Sequence, residues 1–78
     1  MNIEILTPDK EIYNGNGSLI QMPGMDGLFE VLNQHAPLIA ALKKGKIKIV
    51  NDKEETLFFD INGGVAEVQH NHVRILAE

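Results

Sequence analysis

The chain has 78 residues, of which 44% are hydrophobic and 23% charged, and this balance predicts one small globular domain over residues 1–78. A chain of this length buries only about 60% of its unfolded surface, which leaves little room for an internal cavity. The net charge of −4 argues against a nucleic-acid-binding protein, because phosphate neutralisation dominates such binding. Cysteine is absent, so neither a disulfide framework nor a thiolate metal site is expected.

The N-terminal segment predicts a strand, because Ile3 and Ile5 alternate with Asn2 and Glu4. It lacks the basic start and apolar run of a signal peptide. No apolar stretch approaches the roughly 20 residues that a membrane-spanning helix needs. We therefore expect a soluble, cytoplasmic protein that can still dock onto a membrane complex.

Short runs with a period of two recur along the rest of the chain and predict half-buried antiparallel strands. The inward-facing residues of these runs are Ile47 and Ile49, then Leu57, Phe59 and Ile61, then Val73 and Ile75. Turn residues separate the runs at 7–10, 14–17, 23–27, 51–53 and 69–71. The last turn predicts a tight hairpin, with Asn71 in the left-handed conformation, between residues 65–69 and 72–76. Strands this closely spaced indicate a sandwich or a barrel.

The segment from Ala36 to Leu42 is ambiguous, because it combines good helix formers with a proline suited to a first helical turn. It has only seven residues before Lys43-Lys44-Gly45, which is short for a helix. We interpret it as extended. No other segment has a sustained helical period, so the predicted class is all-β.

Several blocks, in order, resemble the epsilon subunit of bacterial ATP synthases, which is called delta in mitochondria. Pro23-Gly24 and Gly27 open a loop that leads to His35-Ala36-Pro37-Leu38, similar to the family's His-Ala-Pro-Leu motif. The further similar blocks are Glu4–Pro8, Ala41–Gly45, Ile61–Val68 and Asn71–Glu78. The resemblance spans the whole chain, and its blocks together are more specific than any one of them.

This resemblance implies a flattened β-sandwich of about ten short, mostly antiparallel strands. It implies a non-catalytic subunit of the rotor's central stalk, which binds the gamma subunit and the c-subunit ring and couples proton flow to ATP synthesis. The expected location is the cytoplasmic face of the bacterial inner membrane, with membrane association only through the complex. The family usually continues into a helical hairpin where this chain stops at Glu78. We therefore expect a form without that tail and without bound ATP, another cofactor or a metal.

The resemblance also suggests which loop contacts the partners. The predicted interface with gamma and the ring comprises Met25, Asp26, Leu28, Phe29, Glu30 and His35. Spacing alone indicates that His35 is a turn or hydrogen-bonding residue. In the interface it would pack and hydrogen-bond without transferring protons. The chain departs from the family here, with Leu28-Phe29-Glu30 where many relatives carry Glu-Leu-Gly. The acidic side chain is thus displaced by two positions.

Other polar groups favour structural roles. His70 and His72 could begin a metal site, but zinc needs three or four ligands, and exposed turn residues are the better interpretation. Gly63-Gly64 is followed by neither the Lys-Ser/Thr pair nor the helix of a phosphate loop, so a bulge or close strand packing is favoured.

The basic residues of the middle of the chain form one cluster, Lys43, Lys44, Lys46 and Lys48. This cluster fits a solvated turn and outer strand face, or an attraction to acidic groups on gamma or lipid headgroups.

Two alternatives to the stalk subunit remain. A hydrolase is weakly supported, since the only serine, Ser18, lies outside any nucleophile motif. The serious competitor is a generic β-sandwich interaction module whose similarity reflects turn chemistry alone.

Overall fold

A computed structural model describes residues 1–78 and contains eight β-strands and no helix. The strands are β1 (Asn2–Leu6), β2 (Glu11–Gly24), β3 (Gly27–Leu32), β4 (Leu38–Leu42), β5 (Gly45–Asn51), β6 (Thr56–Ile61), β7 (Gly64–Gln69) and β8 (His72–Ala77). No helix long and apolar enough to cross a membrane is present. The all-β prediction is confirmed, and β4 confirms that the ambiguous segment is extended.

The strands form two layers that share β2. The first layer runs β4–β7–β8–β1 and continues onto the first half of β2, whereas the second layer runs β3–β2–β5–β6 through the second half of β2. Every pairing is antiparallel except β1 with β8. The dimensions of 27 × 24 × 19 Å agree with a slightly flattened sandwich.

Strand β2 passes between the layers at the glycines that the sequence analysis interpreted as a turn. Residues 11–16 pair with β1, and the pairing with β5 then starts at Gly17 with a shift in register before Leu19. A Cβ atom on Gly17 would lie 2.7 Å from the carbonyl oxygen of Val50, so only glycine allows this approach. Glycines inside a strand commonly mark such bulges and bends. The predicted turn at 14–17 is therefore wrong.

The expectation of about ten strands is also too high, and the continuous β2 accounts for one of the two strands that are absent. One 14-residue strand serves both layers, where separate strands joined by a turn were expected. The sandwich class itself is confirmed with eight strands.

The core lies between the two layers and follows the predicted alternation. Its fourteen buried residues are Ile3, Ile5, Ile20, Met22, Val31, Leu42, Ile47, Ile49, Ile61, Ala66, Val68, Val73, Ile75 and Ala77. All are apolar, and no buried side-chain nitrogen or oxygen lacks a hydrogen-bond partner. The inward-facing residues that the alternation predicted in β1, β5 and β8 are fully buried.

The turns explain several of the polar residues in the sequence. His70 and Asn71 both have positive φ, 52° and 58°, which is the backbone of a two-residue hairpin between β7 and β8. A Cβ atom on Gly64 would collide with the carbonyl oxygen of Leu76, so the predicted role of this glycine in close strand packing is confirmed.

We expect Gly17→Ala to destabilise the fold by about 2 kcal/mol or more, because its methyl group would push Val50 and the β2–β5 pairing apart. Gly15→Ala is the matched control, since its Cβ would meet only the ring and hydroxyl of Tyr13, which can rotate. Urea unfolding of both variants measures the difference. Equal losses of stability would show that the bend at Gly17 tolerates a side chain.

Candidate docking surface

The turn between β2 and β3 exposes two large apolar side chains at one end of the sandwich. Met25 is 62% exposed and Leu28 is 66% exposed. The turn is held to β4 by two backbone hydrogen bonds, from the Met25 N–H to the Ala41 oxygen (3.2 Å) and from the Lys43 N–H to the Pro23 oxygen (2.9 Å). The position of these side chains is therefore set by the sheet on both sides of the turn.

A second set of exposed apolar side chains lies on the outer face of β4, β7 and β8. Ile39 is 75% exposed, and Val65 and Leu76 are directly paired across β7 and β8. A groove of about 480 Å³ is lined by Met25, Leu28 and Ile39, and another of about 310 Å³ by Ile39, Val65 and Leu76. Because Ile39 belongs to both, the five side chains form one continuous region, which we call the apolar surface.

Glu30 does not belong to the apolar surface, and Phe29 reaches only the inner wall of its first groove, although both were predicted to lie in the partner interface. Phe29 is on the inner side of β3, where it is half-buried and packs against the core. Its ring lies close over Gly24, whose Cβ would be 2.9 Å from it. Glu30 is exposed on the opposite side of β3, where Gln21 donates a 3.3 Å hydrogen bond to it. Asp26 is exposed in the turn beside Met25.

His35 lies at the other end of the sandwich. Strand β3 lies between it and the β2–β3 turn. At about 3.3 Å per residue, the strand from Gly27 to Leu32 is about 16 Å long. Its ring Nδ1 is 2.6 Å from the Ala36 oxygen, and its loop is held by a hydrogen bond from the Gln34 N–H to the Asn71 side-chain oxygen (2.8 Å). The six predicted interface residues are therefore not brought together at one point.

The two other histidines differ from each other. His70 is exposed in the β7–β8 turn, as predicted. His72 is the first residue of β8, and its Nε2 lies 2.7 Å from Oε1 of Glu4 on β1, so its description as an exposed turn residue is wrong. Arg74 Nε lies 3.5 Å from the same carboxylate oxygen. The parallel pairing of β1 with β8 brings the three together, which spacing along the chain does not reveal.

The four clustered lysines lie where the structural interpretation placed them. Lys43 and Lys44 lie in the turn between β4 and β5, and Lys46 and Lys48 lie on β5. Lys46 forms an exposed ion pair with Asp60 at 2.9 Å. An exposed pair of this kind contributes little to stability.

Three exposed residues, Ile39, Val65 and Leu76, were not predicted from the sequence as surface residues. The alternation along the strands could have predicted two of them. Val65 and Leu76 occupy the positions of β7 and β8 that alternate with the buried residues. The buried residues are Ala66 and Val68 on β7, and Val73, Ile75 and Ala77 on β8. An apolar residue between two buried ones must face outwards in a strand.

The contrast between Leu28 and Phe29, neighbours on β3, generates a prediction. Phe29→Ala should lower the free energy of unfolding by about 2 kcal/mol, because it removes a half-buried ring from the edge of the core. Leu28→Ala should change it by less than about 0.5 kcal/mol, because that side chain faces solvent. Chemical denaturation of both variants checks the difference, and a large loss for Leu28→Ala would contradict this description of the surface.

Comparison with known proteins identifies the family. The whole chain, residues 1–78, matches the family described as ATP synthase, Delta/Epsilon chain, beta-sandwich domain. It is 43% identical over 77 residues to the ATP synthase epsilon chain of Chlorobium limicola and covers 86% of that protein. It is 42% identical over 76 residues to the epsilon chain of Protochlamydia amoebophila, but it spans only 52% of that protein's length. Each alignment includes 97% of this chain.

Two solved structures have the same fold. The mitochondrial ATP synthase of Tetrahymena thermophila, solved as its central stalk and c-ring, contains a chain that is 25% identical, with a TM-score of 0.81 over 99% of this chain and 62% of that one. A chain in the Euglena gracilis mitochondrial ATP synthase is 20% identical, with a TM-score of 0.87 over 96% of this chain and 48% of that one, which shows the fold alone. Similarity from turn chemistry alone would not produce these matches. The chain belongs to the family of the ATP synthase delta/epsilon β-sandwich domain.

Proposed function

We propose that this chain is a non-catalytic rotor subunit in the central stalk of a proton-translocating F-type ATP synthase. In this proposal it binds the gamma subunit and the c-subunit ring and couples proton flow to ATP synthesis. It would lie on the cytoplasmic face of the bacterial inner membrane, held there through the complex. The curated relatives are ATP synthase epsilon chains, and one structural neighbour was solved as a central stalk and c-ring, which supports this assignment.

The observation that carries the proposal is the continuous apolar surface formed by Met25, Leu28, Ile39, Val65 and Leu76. Water contact with apolar atoms costs about 25 cal/mol per Å², so a partner that covers this region gains free energy. Exposed apolar regions bordered by polar groups commonly mark protein–protein contacts. Asp26 beside the turn, and Glu67 and Arg74 in the second groove, provide such a border.

The shape of this surface suits two partners. Met25 and Leu28 project from one end, whereas Val65 and Leu76 lie on the broad outer face of β7 and β8. We assign the tip of the β2–β3 turn to the ring, and the broad face together with the groove beside Ile39 to gamma. His35 lies at the opposite end, so it would join the interface only where gamma extends along most of the 27 Å length of the sandwich. Phe29 and Glu30 would then lie near the interface without forming its centre.

Leu28→Asp tests the proposal most directly. The charge would have to be desolvated when the surface is covered, so the dissociation constant for gamma with the ring should rise at least about tenfold. Purified gamma and c-ring reconstituted with the chain allow this constant to be measured. Because Leu28 is exposed in the free domain, the melting temperature should remain nearly unchanged.

Phe58→Asp is the matched control, since Phe58 is 59% exposed on β6, and β2 and β5 lie between β6 and the strand β3 that contains Leu28. It should leave docking unaffected. Vesicles that contain the assembled enzyme should also lose ATP-driven proton pumping with Leu28→Asp and retain it with Phe58→Asp. Unchanged docking by Leu28→Asp, or equal losses for both variants, would refute the assigned surface.

A further inference from the structure

Strands β3 and β4 leave an open cleft between the two layers. Both start from the same point, because Gly24 at the end of β2 pairs with Gly27 on β3 and with Leu42 on β4. Beyond that point β3 and β4 do not pair with each other. The groove of about 480 Å³ lies in this cleft, lined by residues 24–29 on one side and 39–41 on the other. Each wall of the groove thus contains the edge of a sheet.

The backbone of β4 faces this groove at Ile39. The bonds from Met25 to Ala41 and from Lys43 to Pro23 show that residues 41 and 43 direct their backbone groups away from β7. Backbone direction alternates along an antiparallel strand, so the N–H and C=O of Ile39 point to the same side. No strand pairs with that side of β4 beyond Leu42. Ile39 therefore presents one donor and one acceptor to the groove.

We propose that the groove binds an extended segment of the gamma subunit, which adds a strand to the free edge of β4. This inference rests on the proposed function, and it specifies how the partner docks on the apolar surface. Only an extended chain can pair with both the N–H and the C=O of Ile39 in the geometry of a sheet. A helix, whose own backbone groups are already paired, would leave both groups without partners when the groove is covered, which is costly.

The lining of the groove defines the chemistry of this segment. Met25, Leu28 and Ile39 are apolar, so alternate residues of the segment are apolar. Asp26 is the only charged residue in the lining, and a lysine or arginine near the end of the segment complements it. The expected ligand is thus a short extended stretch of gamma with alternating apolar residues and a basic residue beside the β2–β3 turn.

Ile39→Pro tests the inference, because proline removes the N–H that faces the groove. Proline is tolerated on an edge strand where the missing N–H faces solvent, and the bonds from β4 to β7 come from residues 38, 40 and 42 by the same alternation. Ile39→Ala is the matched control, since it removes more of the side chain but retains the N–H. We expect the dissociation constant for purified gamma to be about ten times higher for the Ile39→Pro variant than for the Ile39→Ala variant.

Amide hydrogen exchange of the unmodified chain provides a second measurement that does not depend on folding of a variant. The Ile39 amide should exchange quickly in the free chain and become protected on adding gamma, whereas the Phe58 amide should not change. Equal affinity of the proline and alanine variants, or no protection at Ile39 in the bound state, would overturn strand addition. Tight gamma binding in that case would leave the proposed function intact, whereas absence of any binding by the unmodified chain would refute both.

A second copy of this chain is the competing occupant of the cleft. Analytical ultracentrifugation of the chain alone measures its oligomeric state and so distinguishes a second copy from a segment of gamma. A dimer that Ile39→Pro dissociates would overturn the assignment to gamma, and a monomer at concentrations where gamma binds supports it.

Discussion

The passage of β2 from one layer to the other is the constraint on which the rest of the structure depends. Its first half pairs with β1, its second half pairs with β3 and β5, and its last residue also pairs with β4. Because Gly17 has no side chain, β2 can approach the backbone of Val50 closely and pass from one layer to the other. The position of the β2–β3 turn, the opening of the cleft beside it and the orientation of β4 all follow from this single strand.

Alternation along the strands was sufficient to predict the fold class and much of the core. Ile3, Ile5, Ile47 and Ile49 are buried because a period of two places them on one side of a strand. The turn predicted at 14–17 was wrong, because glycine permits a turn and also permits close approach within a strand. Local sequence does not distinguish these roles, since the difference depends on Val50, more than thirty residues further along the chain.

The candidate surface was predictable only in part. Met25 and Asp26 are exposed in the β2–β3 turn and Leu28 is exposed at the start of β3, so these three of the predicted interface residues are accessible to a partner. Phe29 is equally apolar, but the alternation along β3 turns it towards the core. Ile39, Val65 and Leu76 join the surface through the pairing of β4, β7 and β8, which is a property of the fold and not of any one segment. The contact of His72 with Glu4 was hidden for the same reason, because 68 residues separate them.

The parallel pair of β1 and β8 has a consequence for how the chain reaches its native state. Asn2 lies beside His72, so the first strand cannot take its final neighbour until nearly the whole sequence is available. Contacts between such distant residues slow folding, because a long loop must close before they form. The contact of β1 with its sequence neighbour β2 closes a short loop, whereas its contact with β8 closes a long one and is expected to form later. A fragment that lacks residues 72–77 would leave one edge of β1 without its partner strand, and such an unpaired edge can join the strand of another molecule.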